Sequence, residues 1–198
     1  MQIGAAAALI TGGASGLGAA TATAFRAAGA EVTIADRDTE AGARLAAAIG
    51  AGFVALDVTD EGSARDAVAA AVAAMGGLNV LVNCAGIAIG EKTLGRDGPH
   101  RLDSFRRTLD INLVGSFNMM RLAAEVMAGN DGAEKGVIVN TASIAAFDGQ
   151  KGQTAYAASR RAIWPASASA SAPSRRGFSP RRCCAACRRR CRTASPPK

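Results

Sequence analysis

Apolar residues along the chain gather into short continuous runs, separated by longer stretches with helical spacing. Ala5–Ile10 is the first run and reads as a buried strand; a glycine-rich turn and a helix to about Ala28 follow. Glu31–Ala35 predicts a second strand and Thr39–Ile49 a second helix. Phe53–Leu56 predicts a third strand, followed by an alanine-rich helix ending near Gly76, and Asn79–Val82 a fourth strand. Beyond a glycine-rich loop, Leu102–Leu109 and Leu113–Met127 have helical spacing, and Gly136–Thr141 predicts a fifth strand. Strands that are apolar without alternation are buried on both faces, and their regular exchange with helices signals parallel pairing.

The pattern therefore predicts an α/β fold, a Rossmann-like doubly wound parallel sheet. Its crossovers are right-handed, and its ligand crevice lies at the carboxyl ends of the strands.

The pattern stops abruptly near residue 160. Residues 1–159 hold 12 of the 23 basic residues and all 16 acidic ones, whereas residues 160–198 hold 11 basic residues and no acid. Four of the five cysteines and five of the six prolines also lie after 160. The boundary is set at 164, giving one domain over 1–164 and a basic Arg/Ala/Ser/Pro/Cys-rich tail over 165–198. The tail shows no sustained apolar period of 2 or 3.6, so an irregular course outside the sheet is expected. Three readings of it stand. An out-of-frame stretch of a GC-rich gene would yield this composition. A basic arm could hold nucleic acid through phosphates, although only Phe178, and Trp164 just before the tail, are there for base stacking. Cys184, Cys187 and Cys191 have tolerable metal spacing, but arginines intervene and no histidine completes the set.

Composition narrows the class further. With 49% hydrophobic and 20% charged residues the chain is ordinary for a soluble globular protein. Its longest apolar run, Ala67–Met75, is too short to span a bilayer. No Lys or Arg precedes Arg26, so neither a secretory signal nor an Arg-rich transit peptide is visible, and a cytoplasmic location is expected. The single histidine, His100, follows Gly98-Pro99 and reads as a surface loop residue; no Ser/His/Asp set or His-based metal site can be built on it. Cys84 reads as a buried thiol.

The first strand ends in Thr11-Gly12-Gly13-Ala14-Ser15-Gly16-Leu17-Gly18. Glycines let backbone approach a pyrophosphate closely, and the following helix offers free N–H groups and a positive dipole end. The spacing is G-x-x-x-G-x-G, with Thr at position 21, and a plain strand–helix turn would also use glycine here. Asp36 closes the second strand 18 residues past Gly18. A carboxylate there accepts both hydroxyls of an adenosine ribose and repels a 2′-phosphate, favouring NAD over NADP. Arg37 beside it could hold such a phosphate, and Asp36 could equally cap the next helix.

These residues, with Asp57-Val58, Asn83-Cys84-Ala85-Gly86, Asn112, and Ser143 thirteen residues before Tyr156, resemble the short-chain dehydrogenase/reductase family over about residues 5–159. Val82–Ala88, His100–Met127 and Asn140–Tyr156 resemble its type-2 3-hydroxyacyl-CoA dehydrogenase group (17β-hydroxysteroid dehydrogenase type 10) more closely. The resemblance implies an NAD-dependent oxidoreductase that interconverts a secondary alcohol and ketone, with an acyl-CoA as small-molecule substrate. It implies Tyr156 as general base, helped by a cation one turn on, Ser143 as holder of the substrate oxygen, and Asn112 as holder of a relay water. Gly12, Ser15, Gly16, Leu17, Gly18, Asp36, Asp57, Val58, Asn83, Cys84, Ala85 and Gly86 would hold the cofactor. Taken singly, Ser143 reads as a strand-end hydroxyl and Tyr156 as a core aromatic with a wet tip.

The chain departs from the family in two places. Arg160 stands where the family's Tyr-x-x-x-Lys motif has lysine, and the forked guanidinium is no simple substitute for an ammonium. The family also continues beyond this point with strands, a substrate loop and part of a homo-oligomer interface, for which nothing in Pro165–Lys198 provides. Impaired activity, not restored by Arg160→Lys alone, is the expectation. The reading from another class is a non-catalytic nucleotide- or nucleic-acid-binding protein with a basic tail.

Overall fold

The computed structural model describes residues 2–163 and the backbone of 169–171. A 3₁₀ turn at Ile3–Ala5 leads into β1 (Ala7–Thr11), α1 (Gly16–Ala27), β2 (Glu31–Asp36), α2 (Thr39–Ile49), β3 (Gly52–Ala55), α3 (Glu61–Met75) and β4 (Val80–Asn83). A two-residue pair, β5 (Leu94–Gly95) and β6 (Gly98–Pro99), precedes α4 (Leu102–Leu109), a π-helical stretch (Asp110–Gly115) and α5 (Ser116–Ala128). β7 (Glu134–Asn140), α6 (Ala145–Asp148), α7 (Thr154–Ile163) and β8 (Ser169–Ser171) complete the described elements.

The main sheet runs β3-β2-β1-β4-β7-β8. All neighbours are parallel except the last pair. The order reverses between β1 and β4, which opens a crevice beyond their carboxyl ends. Successive residues of each strand face opposite layers. Ala8, Ile10, Val32, Ile34, Val80 and Val82 pack in the same cluster as Ala22 of α1 and Ala46 of α2. Leu9, Leu81 and Ile138 pack in another with Ala64 and Ala67 of α3 and Met119 and Met127 of α5. Two buried faces explain why the strands are apolar throughout. No helix among the described residues is long and apolar enough to cross a membrane.

Helix starts are set by local chemistry. Asp38 accepts from Ala41 N (2.9 Å) to cap α2, and Asp60 accepts from Ser63 N to cap α3. Gly50 and Gly76, both with positive φ, follow the last turns of those helices.

Three expectations need correction. The tail's expected irregular course does not hold at Ser169–Ser171, which pair antiparallel with Glu134, Gly136 and Val137 of β7. Pairing there needs only the backbone N–H and C=O groups of β7, which an extended small-residue segment can meet. His100 is not a surface residue: its side chain is 12% exposed and packs edge-on against Phe105. Cys84 is half-buried rather than buried. The remaining tail, with its cysteine cluster and arginine runs, lies outside the described residues.

Candidate active site

The crevice is a cleft of about 1040 Å³ over the ends of β1, β2, β3 and β4. One end is built by the glycine turn. Gly12 and Gly16 have φ of +63° and +50°, a region open chiefly to glycine. A Cβ on Gly18 would lie 2.1 Å from the Gly12 carbonyl oxygen, and one on Gly12 would lie 2.6 Å from Ala85 N. Close packing thus fixes the start of α1 against the turn and the turn against the loop after β4. Ser15 precedes α1 without a side-chain capping bond, so the first N–H groups of the helix face the cleft with Gly16, Leu17 and Gly18. These features fit a nucleotide diphosphate.

Asp36 ties this end together. Its Oδ2 accepts from Ala14 N and its Oδ1 from Asp38 N, both at 3.0 Å, so the carboxylate is fixed at the cleft wall beside exposed Arg37. Asp57 lies across from it and is exposed. Hydrogen bonds from the Thr59 hydroxyl and N–H hold its carboxyl below the usual carboxylate range, assisted by the Arg37 charge. Val58 is buried under Gly115, where an added Cβ would meet its Cγ2 at 2.5 Å. Leu56, Val58, Ile111 and Val114 give this part of the cleft apolar walls suited to a flat ring.

Tyr156 and Arg160 line the other end, with Gly86, Ile87 and Ala88. They stand one turn apart on α7, and the guanidinium carbon is 5.2 Å from the Tyr156 ring centroid. Arg160 is 5% exposed; its Nη1 donates to Thr141 O at 2.9 Å, while Nε finds no partner. A Cβ on Gly86 would lie 2.5 Å from Nη2, so the larger head group fits here only because residue 86 is glycine.

Not every expected residue reaches the cleft. Asn83 is buried and does not line it. Its amide donates to Asn140 Oδ1 (2.9 Å), its carbonyl oxygen accepts from the Thr141 hydroxyl (2.8 Å), and its side-chain oxygen accepts from Thr11, joining the ends of β1, β4 and β7. Asn112 is fully buried and also lies behind the wall. Its Oδ1 accepts from Ile87 N and its Nδ2 donates to Ile87 O, both at 2.8 Å, and Nδ2 also reaches Ser159 Oγ at 3.2 Å. Its side chain therefore clamps backbone. Ser143 follows β7, and its hydroxyl accepts from Ala145 N at 3.2 Å; it does not line the cleft. Sequence reasoning passed over Ser159, which is buried and donates to Tyr156 O at 2.8 Å. A serine three residues past the tyrosine on one helix was the available signal.

Residues 6–173 match the family profile described as short chain dehydrogenase. Two similar relatives are the 3-hydroxyacyl-CoA dehydrogenases type-2 of Drosophila melanogaster and Homo sapiens. Each is 46% identical to this chain, over 78% and 79% of its length respectively. A crystal structure of 3-hydroxyacyl-CoA dehydrogenase type-2 from Mycobacterium avium superimposes with a TM-score of 0.76 at 39% identity, covering 81% of this chain and 66% of that one. The chain spans 64% and 62% of the length of the two curated relatives. With the family profile matched over most of its residues, and with the sheet order and glycine turn described above, the chain belongs to the short-chain dehydrogenase family.

Proposed function

We propose that the chain is an NAD-dependent oxidoreductase that interconverts a secondary alcohol and a ketone, with 3-hydroxyacyl-CoA and 3-oxoacyl-CoA as the substrate pair. The observation that carries this reading is that one cleft holds the glycine turn and Asp36 at one end and Tyr156 with Arg160 at the other. The names of the similar relatives support the acyl-CoA substrate. The free thiol of Cys84 fits a reducing compartment such as the cytoplasm.

The division of labour follows from the residues. Gly12, Ser15, Gly16, Leu17 and Gly18 would hold the diphosphate, Asp36 the adenosine ribose, and Asp57, Val58, Cys84, Ala85 and Gly86 the walls around the cofactor. NAD supplies the hydride acceptor when bound. Tyr156 takes the hydroxyl proton of the alcohol; the Ser143 hydroxyl, whose proton is not used by its bond from Ala145 N, would donate to the same oxygen by turning toward the cleft. Arg160 keeps a positive charge beside the Tyr156 ring, and Asn112 holds the Ile87 backbone that forms the wall facing them.

The test is NAD reduction by the purified chain with a 3-hydroxyacyl-CoA. Turnover that Tyr156→Phe abolishes supports the reading. Tight NAD binding without turnover on any secondary alcohol would favour the non-catalytic nucleotide-binding alternative.

A further inference from the structure

We propose that Glu91 is a positioning residue for Tyr156: its carboxylate is the anchor, and its backbone the arm, by which the start of α7 is fixed against the loop lining the cleft. The proposal rests on the oxidoreductase reading of Tyr156.

The anchor lies at the start of α4. Glu91 Oε1 accepts from Arg101 N at 2.7 Å and from Arg101 Nε at 3.4 Å. Arg101 is the residue that caps α4, and it makes no capping bond with its own side chain. Glu91 therefore supplies from another segment the acceptor for the N-cap N–H that a capping-box glutamate in the first turn would offer. The Arg101 N–H, and then the Ser104 hydroxyl, hold the Glu91 carboxyl down to about 2. His100 Nδ1 points at Glu91 O at 3.1 Å, and its Nε2 lies 3.9 Å from Glu91 Oε2. The carboxylate is thus hydrogen-bonded by Arg101, with His100 beside it, and the side chain is only 20% exposed.

The arm points the other way. Glu91 N donates to Gly152 O at 2.7 Å, and Glu91 pairs in parallel with Gln153. Gln153 O in turn accepts from Ala157 N at 2.8 Å, the bond that opens α7. Tyr156 stands in that first turn, where a helix frays first because its opening N–H groups have no partners within the helix. Gly86–Ala88, just before Glu91 in the chain, line the cleft with Tyr156. Without the carboxylate only the His100 Nδ1 contact with Glu91 O still joins residue 91 to the segment before α4, and the backbone bonds to Gly152 and Gln153 lose most of their fixed support.

Tyr156 is the only tyrosine of the 198 residues, so protein grown with 3-fluorotyrosine gives one fluorine resonance that reports this ring whether or not the chain turns over. The comparison uses the full chain, Glu91→Ala, and Asp60→Ala, which removes a similar helix cap from α3. The expected result is a line displaced toward the unfolded position, or doubled, in Glu91→Ala and unmoved in Asp60→Ala. With a 3-hydroxyacyl-CoA, kcat should fall about tenfold or more in Glu91→Ala while the KM for NAD stays within about twofold. An unmoved fluorine line in Glu91→Ala, or an equal displacement in Asp60→Ala, overturns the proposal. A displaced line in a chain without turnover leaves it standing and sinks the oxidoreductase reading instead.

Discussion

Asn112 and Ile87 exchange two hydrogen bonds of equal length, one in each direction, between a side-chain amide and a peptide group 25 residues away. The pairing resembles a rung of antiparallel sheet, supplied by a side chain on a helix. It satisfies both polar groups of Ile87 in a loop that has no strand partner. The π-helical turn around Asn112 widens the helix at the point where this contact is made, a common use of such turns near functional sites.

Replacing Asn112 by alanine should leave the Ile87 N–H and C=O without these partners and remove one from Ser159. A loss of about 1–3 kcal/mol is expected. Denaturant unfolding measures it, and amide exchange at Ile87 should accelerate in parallel. An unchanged exchange rate would show that the clamp is not what orders the loop.

Gly18→Ala sets a Cβ 2.1 Å from a backbone oxygen that has no flexible end to move. Gly16→Ala meets nothing within 4 Å and suffers only its φ of +50°, about 1–2 kcal/mol. Gly18→Ala should therefore melt lower than Gly16→Ala, and its NAD affinity should be lost with the turn. Thermal melts and NAD titrations of both variants decide this.

Wild type should prefer NAD over NADP, and Asp36→Ala should narrow the preference by about tenfold, ~1.4 kcal/mol. The carboxylate that repels a 2′-phosphate would be gone, leaving Arg37 to attract one. Titrating both cofactors against both proteins tests it; equal wild-type affinities would refute the assignment of Asp36.

The Glu91 carboxyl is held at about 2 in the folded state against an ordinary 4.5. A depressed carboxyl contributes stability that is complete above its unfolded pKa and disappears as pH falls through the folded one. Stability should therefore decline between about pH 4.5 and 2, and Glu91→Gln should flatten this part of the curve. Unfolding midpoints measured across that range show whether it does.

How far the sequence foretells this site depends on the kind of signal. The five parallel strands are readable because burial on both faces leaves runs such as Leu81-Val82 with no polar interruption. The glycine turn is readable because close backbone approach excludes every side chain at Gly18. The β5–β6 pair leaves no such trace: Leu94 is exposed, and two residues per strand set no period. His100 looks like a loop residue because its partner Glu91 is joined to it by tertiary contacts rather than by spacing. Asn83 and Asn112 are recognisable as important residues. That Asn83 meets the side chains of Thr11 and Asn140, and Asn112 the Ile87 backbone, rather than the cleft depends on side-chain direction, which a motif does not encode.

Leu102–Ala128 runs without a break from α4 through the π-helical turn to α5. Each residue advances an α-helix by about 100°, so length and facing are coupled along it. A π-helical turn takes up one more residue than an α turn while rotating the chain by about the same amount. The extra residue is therefore absorbed without turning α5, and Met119, Ala123 and Met127, which are completely buried, keep facing the sheet. The same six residues wound as ordinary α-helix would turn everything beyond Gly115 by roughly 100° and swing those three side chains off the sheet. Loss of one residue here is thus compatible with plain α geometry, because it leaves the facing of α5 unchanged.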